Sequence, residues 1–478
     1  MRKQYLWLAL AVFILLDTSF SFWQHLNVEL DGDMAAIILP APWYSQVLQD
    51  PLGLGVLLKN EVYAAPNRFF AHQLLSSYFK TVPLALKAFV SPIESVYLAS
   101  ALLKTGVQLL LLLVLAAYIR VAAKVGWPQL LLAAALLVPL FHTSGYNMQM
   151  GIIDKSVTYT VFYALPMGLL LVFFWPFYRA AYTGQALQLG IAQHVGWAIL
   201  AVVLAFNGPL VPAVVLIICP AALLYGAWQG SKQAGPNRLQ ATLTGIPRAQ
   251  LLHFGFISLL CLYSLYIGLN NKENLTGASL ALAERYARLP LGLFYQLTVK
   301  LGIPLILLLL LLNTVLLKRQ PASAEQQRLL RLVKWLGLFA GIYLLLLPLG
   351  GYREYRPDII RRDTFLPVLL GLIYAYGLTS LHLLGTLPPR LGQRYGLALV
   401  AFLGFMTLAD KPINVGNQCE KAAMQQIANS WTSPVRLEDP DCKVMSWTKI
   451  TDAAYSADNA QMLHYWGITS ETRLYYQQ

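Results

Sequence analysis

The chain is built from apolar runs that are too long for buried strands and carry too little charge for surface helices. The runs near 5–24 and 95–117 each hold roughly 20 residues. An α-helix rising about 1.5 Å per residue needs that length to cross a hydrocarbon core of about 30 Å. Eleven segments of this kind are predicted, near 5–24, 95–117, 127–142, 157–177, 191–206, 209–228, 251–269, 293–317, 335–350, 365–384 and 395–409. The third, fifth, ninth and eleventh are the shortest. Of the 478 residues, 57% are hydrophobic and only 12% charged, about half the charge of a soluble domain. The expected fold is an all-α polytopic membrane bundle over 1–409 with a small separate region over 410–478.

Charge fixes an orientation. The net charge of +13 is not a nucleic-acid signal here, because Lys and Arg in such a chain set topology and meet anionic head groups. Arg2 and Lys3 precede the first run and no small-residue cleavage site follows it, so that run is expected to stay as a helix with a cytoplasmic N-terminus. The alternate loops then hold Arg120 and Lys124; Arg179; Lys232, Arg238 and Arg248; Lys318, Arg319, Arg328, Arg331 and Lys334; Arg390 and Arg394. Of the 22 acidic residues only Glu325 falls on that side. The C-terminus is expected outside, with the bacterial inner (plasma) membrane as the expected location.

The long first outer loop, 25–94, alternates apolar and polar residues. Phe69, Phe70, Leu74, Leu75, Tyr78 and Phe79 recur at helical spacing, with His72, Gln73 and Lys80 between them. That pattern predicts helices lying in the interface, His72 being a surface residue on the polar side; the plainer alternative is a short re-entrant or extra spanning segment in 69–90. Residues 410–478 lose the apolar runs. Cys419 and Cys442 lie there, outside the spans that hold Cys219 and Cys261, and in an oxidising compartment they are expected to pair. Trp431, Trp447, Tyr465, Trp466, Tyr475 and Tyr476 make the region aromatic, suited to stacking on sugar or to packing on the bundle.

Two constellations can carry chemistry. Glu29-Leu30-Asp31-Gly32-Asp33 follows the first span directly. Asp31 and Asp33, two apart across a glycine, can converge on one proton or one divalent cation. The second is Gly350-Gly351-Tyr352-Arg353-Glu354-Tyr355-Arg356-Pro357-Asp358-Ile359-Ile360-Arg361-Arg362-Asp363, with four arginines in ten residues. Eight spans separate it from the acids, so both face the same side. The arginine fork suits phosphate; the plainer reading is local pairing with Glu354, Asp358 and Asp363. Lesser candidates are Asp154 and Lys155 with His142 and Tyr146, the intramembrane pair Asp17 and Lys104, and the 270–292 loop with Lys272, Glu273, Glu284, Arg285 and Arg288 flanking a groove. No phosphate-binding loop, zinc spacing or nucleophile triad is present.

On Glu29-Leu30-Asp31-Gly32-Asp33 after a single span, a long first outer loop, eleven or so spans and a late arginine loop, the chain resembles the GT-C family of polytopic glycosyltransferases. The resemblance covers architecture along the whole chain and specific residues at 29–33 and, loosely, 351–363. It implies transfer of a sugar from a polyprenyl-phosphate donor to a lipid, glycan or protein acceptor. Asp33, Asp31 or Glu29 would act as base, Asp31 and Asp33 as ligands of a divalent Mg or Mn ion if one is used, and Arg353, Arg356, Arg361 and Arg362 would hold the donor phosphate. The short C-terminal region departs from the family's acceptor-binding domains. Two other readings stand beside it: a transporter or flippase of a lipid-linked glycan, and an O-antigen ligase or polymerase type of enzyme.

The orientation is open to a direct check. A reporter fused after Gln478 is expected to be active outside the cytoplasm, and one placed beside Lys318 and Arg319 inside it. Activity of the first fusion in the cytoplasm alone would reverse the bundle.

Overall fold

The computed structural model describes residues 2–142, 150–232, 245–275, 280–298, 301–352, 354, 357–409 and 412–477. Helices dominate these residues, and the described strands are one short parallel pair, Val435–Arg436 with Tyr475–Tyr476. Nine described helices are long and apolar enough to cross a membrane. In chain order the helices are α1 (Arg2–Leu26), α2 (Met34–Ile38), α3 (Pro42–Gln49), α4 (Leu54–Lys59), α5 (Phe69–Leu86), α6 (Pro92–Ala122) and α7 (Pro128–Leu137). Then follow α8 (Val157–Thr183), α9 (Ile191–Ala205), α10 (Leu210–Lys232), α11 (Arg248–Leu269), α12 (Lys272–Leu275), α13 (Leu282–Ala287) and α14 (Leu289–Thr298). The remainder are α15 (Gly302–Arg319), α16 (Ala324–Leu346), α17 (Arg362–Thr386), α18 (Pro389–Ala409), α19 (Gln418–Asn429) and α20 (Ala457–Tyr465).

The third and fifth predicted spans are the shorter apolar helices Pro128–Phe141 and α9. The eighth, predicted as one run, appears as α14 and α15. Helix ends carry their local signals. Ser91 caps α6 by accepting from the Glu94 N–H at 3.3 Å, with Pro92 in the first turn. Ser323 and Gln326 form a reciprocal box at the start of α16, answering donors that a helix start leaves open.

Helix α17 is the hub. It packs against α6, α7, α15, α16 and α18, and 83% of its most apolar window is buried within the protein, against 11% for α1 and α16. Those two helices present side chains outward, where lipid would replace protein as the apolar partner. Within the bundle Asn313, Thr379, Ser380 and Tyr395 satisfy one another.

The residues between α1 and α6 form a packed layer. Ser76 of α5 donates to the Ile38 carbonyl of α2 at 2.8 Å, and His72, one turn earlier, is buried. The expected surface histidine is therefore a core residue. The open stripe of α5 is Gln73, Ser77 and Thr81 instead, because α3 and α8 cover the side that carries His72. The expected intramembrane pair of Asp17 with Lys104 also gives way. Asp17 meets His142 at 2.9 Å, while Lys104 donates to the Lys155 carbonyl at 3.1 Å. Equal depth along two helices fixes no angle about their axes.

The C-terminal region docks on this layer. Cys419 and Cys442 are joined, with Cα atoms 5.7 Å apart, as predicted. Cys219 and Cys261 are buried and free. Trp466 is buried and donates to the Phe79 carbonyl of α5 at 2.9 Å, and Lys421 pairs with Glu94 at 2.8 Å. Gly32 is required by close approach: a Cβ there would lie 2.6 Å from the Trp447 backbone nitrogen. Glu420 is the central bond. It accepts from the Leu30 N–H at 2.9 Å, the Met445 N–H at 2.8 Å and the Tyr97 hydroxyl at 2.7 Å. Burial pushes its carboxyl up to about 7, the three donors only partly opposing it.

The sign of the resulting pH dependence is fixed. A carboxyl raised from its ordinary 4.5 to about 7 binds more protons folded than unfolded, so docking is strongest below pH 4.5. It weakens as pH rises to about 7 and is level above. Amide exchange in the Leu30–Asp33 and Met445 segments, in detergent, is expected to show a loss of about 3 kcal/mol across that window. The Glu420→Gln variant is expected to show a shallower slope, keeping only the part that Asp31 adds; an equal slope in both proteins would remove Glu420 from the account.

Candidate functional site

The segment after α1 turns at Gly32, and α2 begins at Met34. This turn places Asp31 inside and Asp33 at the edge. Asp31 is buried. Its Oδ1 accepts from the Asp33 N–H at 3.2 Å and its Oδ2 from the Thr158 N–H at 3.1 Å. Burial, with the neighbouring Asp33 charge adding to it, raises the Asp31 carboxyl to about 6; the Thr158 and Ser156 bonds pull the other way. Lys104, buried in α6, interacts electrostatically with both Asp31 and Asp154. Asp33 is half-buried, and its Oδ1 accepts from the Trp447 indole N–H at 3.1 Å. Glu29 points out and is exposed.

The segment 154–158 joins the two constellations. Asp154 is buried, accepts from the Ser156 N–H at 2.9 Å, and pairs with Arg362 at the start of α17. Four residues after Asp154, Thr158 holds Asp31. A π-helical turn over Thr160–Ala164 follows at once, a distortion often found beside functional positions. The sequence placed Arg362 on a phosphate; the structure gives it to Asp154. Arg361 is committed locally, with its guanidinium on Asp363 at 3.1 and 3.3 Å and on the Asp358 carbonyl at 2.9 Å. Arg353 and Arg356 lie outside the described residues, as does Tyr146. From the 270–292 stretch, Arg288 donates to the Tyr352 hydroxyl at 3.3 Å and to the Pro357 carbonyl at 3.1 Å.

A second cluster adjoins Asp33. Tyr44 donates to Glu273 at 2.9 Å; burial, with the Glu273 charge and bond and then Asp33 adding to it, pushes its hydroxyl well above the usual range. His72 lies between Tyr44 and Phe162, with ring centroids 5.3 and 5.1 Å away. Its Nδ1 is 3.0 Å from the Arg68 carbonyl, so Nδ1 carries the proton and Nε2 is left as an acceptor. Among the described residues Nε2 has no hydrogen-bond partner. Burial holds the ring neutral, down to about 4. The buried Arg68 guanidinium lies 5.1 Å from the Phe162 ring centre. The available sequence signal was Arg68 and His72, four apart at the start of α5.

Aromatic side chains complete the edge. Trp447 stacks on Tyr159 at 5.6 Å and remains half exposed beside Asp33. Trp431 is exposed, whereas Trp466 and Tyr475 are core; of the aromatic residues in the C-terminal region, Trp447 stands next to the acids.

The donor set suits proton transfer better than a metal cage. Both Asp31 oxygens already accept N–H bonds, and the Lys104 charge acts on the same carboxylate. Divalent ions want several convergent oxygens. Among the described residues the one three-ligand grouping is Cys419, Asp439 and Cys442, and its two sulfurs are spent on the disulfide. The chain matches no protein-family model, no curated protein and no solved structure.

The Asp154–Arg362 pair is testable on its own. Breaking a buried pair strands its partner and typically costs about 3–5 kcal/mol, while replacing both members with apolar groups is often neutral. Asp154→Ala is expected to lower the thermal midpoint in detergent more than Asp154→Ala combined with Arg362→Met. A double variant at least as unstable as the single would show that Arg362 has no need of Asp154.

Proposed function

We propose that this chain is a membrane glycosyltransferase. It moves a sugar from a polyprenyl-phosphate donor to the hydroxyl of a lipid, glycan or protein acceptor. Asp33, at the accessible edge, takes the proton of the incoming hydroxyl. The acceptor oxygen bonds to the anomeric carbon as the bond from that carbon to the phosphate oxygen breaks. Polyprenyl phosphate leaves with the electron pair, and cations of the arginine loop offset its charge. Asp31, behind Asp33, holds the turn that presents it by accepting the Asp33 N–H. Trp447 offers the sugar a flat apolar face beside the base. No step is assigned to a metal ion.

The observation that carries this reading is that segment 154–158 binds both elements, Asp31 through Thr158 and Arg362 through Asp154. That shared segment supports the reading, because it ties the Asp31–Asp33 turn to the start of the helix that follows the arginine loop. The transporter reading draws on a different observation: Asp17, His25 and Lys104 on the helices, and His142 just past Phe141, are ionisable and buried, and such groups within a membrane often mark a path.

Turnover separates the two. Purified protein with a polyprenyl-phosphate sugar is expected to consume donor, and Asp33→Asn to lower turnover by roughly 10²-fold or more with donor binding little changed. Asp31→Asn is expected to fall by less, and chelation to leave the rate unchanged. If wild type consumes no donor while labelled lipid-linked glycan crosses vesicles containing it, the chain is a carrier.

A further inference from the structure

A cavity of about 770 Å³ lies between the ends of α6, α7 and α8. It is remote from the acids: Arg120 follows Lys104 by 16 positions on α6, about 24 Å along the helix axis. Arg120, Lys124 and Arg179 line it, together with Trp127, Trp175 and Tyr182, and no carboxylate does. None of the three cations has a carboxylate partner among the described residues. The Arg120 guanidinium sits 3.9 Å from the Trp127 ring centre, and its Nε is buried without an acceptor. The nearby Arg328 is already paired with Glu325 and stands over Tyr182 at 4.8 Å.

The backbone holds these charges in place. Helix α6 ends with the Val125 N–H on the Arg120 carbonyl at 3.2 Å and the Lys124 N–H on the Val121 carbonyl at 3.1 Å. Lys124 takes the left-handed position at φ 54°, where glycine is usual. The plainer explanation for basic residues here is topology and the negative end of two helix dipoles. Neither calls for a cavity, or for a desolvated guanidinium nitrogen with nothing to donate to.

We infer that this cavity is a binding site for a phosphate-bearing anion, held by Arg120, Lys124 and Arg179 with the indoles flanking its organic part. Basic pockets between helices at the membrane edge bind lipid phosphate in this way, and the volume matches the usual range of small-molecule sites. The phosphate has two sources, an anionic lipid head group or a soluble phosphate compound. The site stands independently of the transferase reading.

The test uses the full chain in neutral detergent, with phosphatidylglycerol and inorganic pyrophosphate as separate probes and native mass spectrometry and thermal shift as readouts. Saturable binding of at least one probe is expected. Arg179→Gln and Lys124→Gln, both at exposed positions, are each expected to weaken it about tenfold. Arg331→Gln, an exposed arginine outside the cavity, removes equal charge and is expected to leave binding unchanged. Retention of phosphatidylglycerol alone identifies a lipid site; saturation by pyrophosphate alone identifies a soluble ligand. No saturable binding of either probe, or equal weakening by Arg331→Gln, overturns the inference.

Discussion

A carboxylate taken out of water must have its oxygens answered, and at Asp31 that requirement organises one end of the molecule. One oxygen is answered by the next turn of its own segment, the other by the first residues of α8. Satisfying it draws 154–158 against the end of α1. Asp154 then comes to Arg362 and the start of α17, and Lys104 is enclosed between them. Three parts of the chain thus converge on one buried charge. Unpaired, that charge would be far too costly to bury. The same desolvation keeps the acid's affinity for protons near neutrality, so the demand that shapes the fold also sets its chemistry.

The surrounding surface follows from that anchor. With Asp31 inside, the turn at Gly32 leaves Asp33 at the rim, and only a residue without a side chain lets the Trp447 backbone approach so closely. Tyr44, His72, Glu273 and Arg68 line the far side of the rim on elements fixed by the packing of α3 and α5. The rim therefore mixes acid, base, cation and aromatic groups, each held by bonds made behind it.

What was legible in the sequence was local. Apolar length gave the helical membrane class, two cysteines in a polar region gave the disulfide, and an acid motif after one span gave the Asp31–Asp33 turn. What was hidden depended on direction about an axis or on distant partners. His72 reads as surface because α5 looks two-faced, yet Phe162 from a distant span covers it. Asp17 and Lys104 share a depth but face different neighbours. Arg361 is the exception: of its two readings, phosphate ligand or local pair, its fork takes the local one, filled by Asp363 two residues on. Glu420 gave no signal, since its meaning lies in a bond to a residue 390 positions away.

That separation bears on how the molecule is made. Chains emerge from the ribosome N-terminal end first, at roughly 5–20 residues per second, so Asp33 and its turn exist long before Trp447 and Glu420 are synthesised. Until then the Leu30 N–H lacks its acceptor and the Tyr159 ring its stacking partner. The bundle can therefore assemble early while its rim stays unfinished, and a product cut short before Trp447 would keep the bundle helices up to Ala409 yet lack the wall beside Asp33.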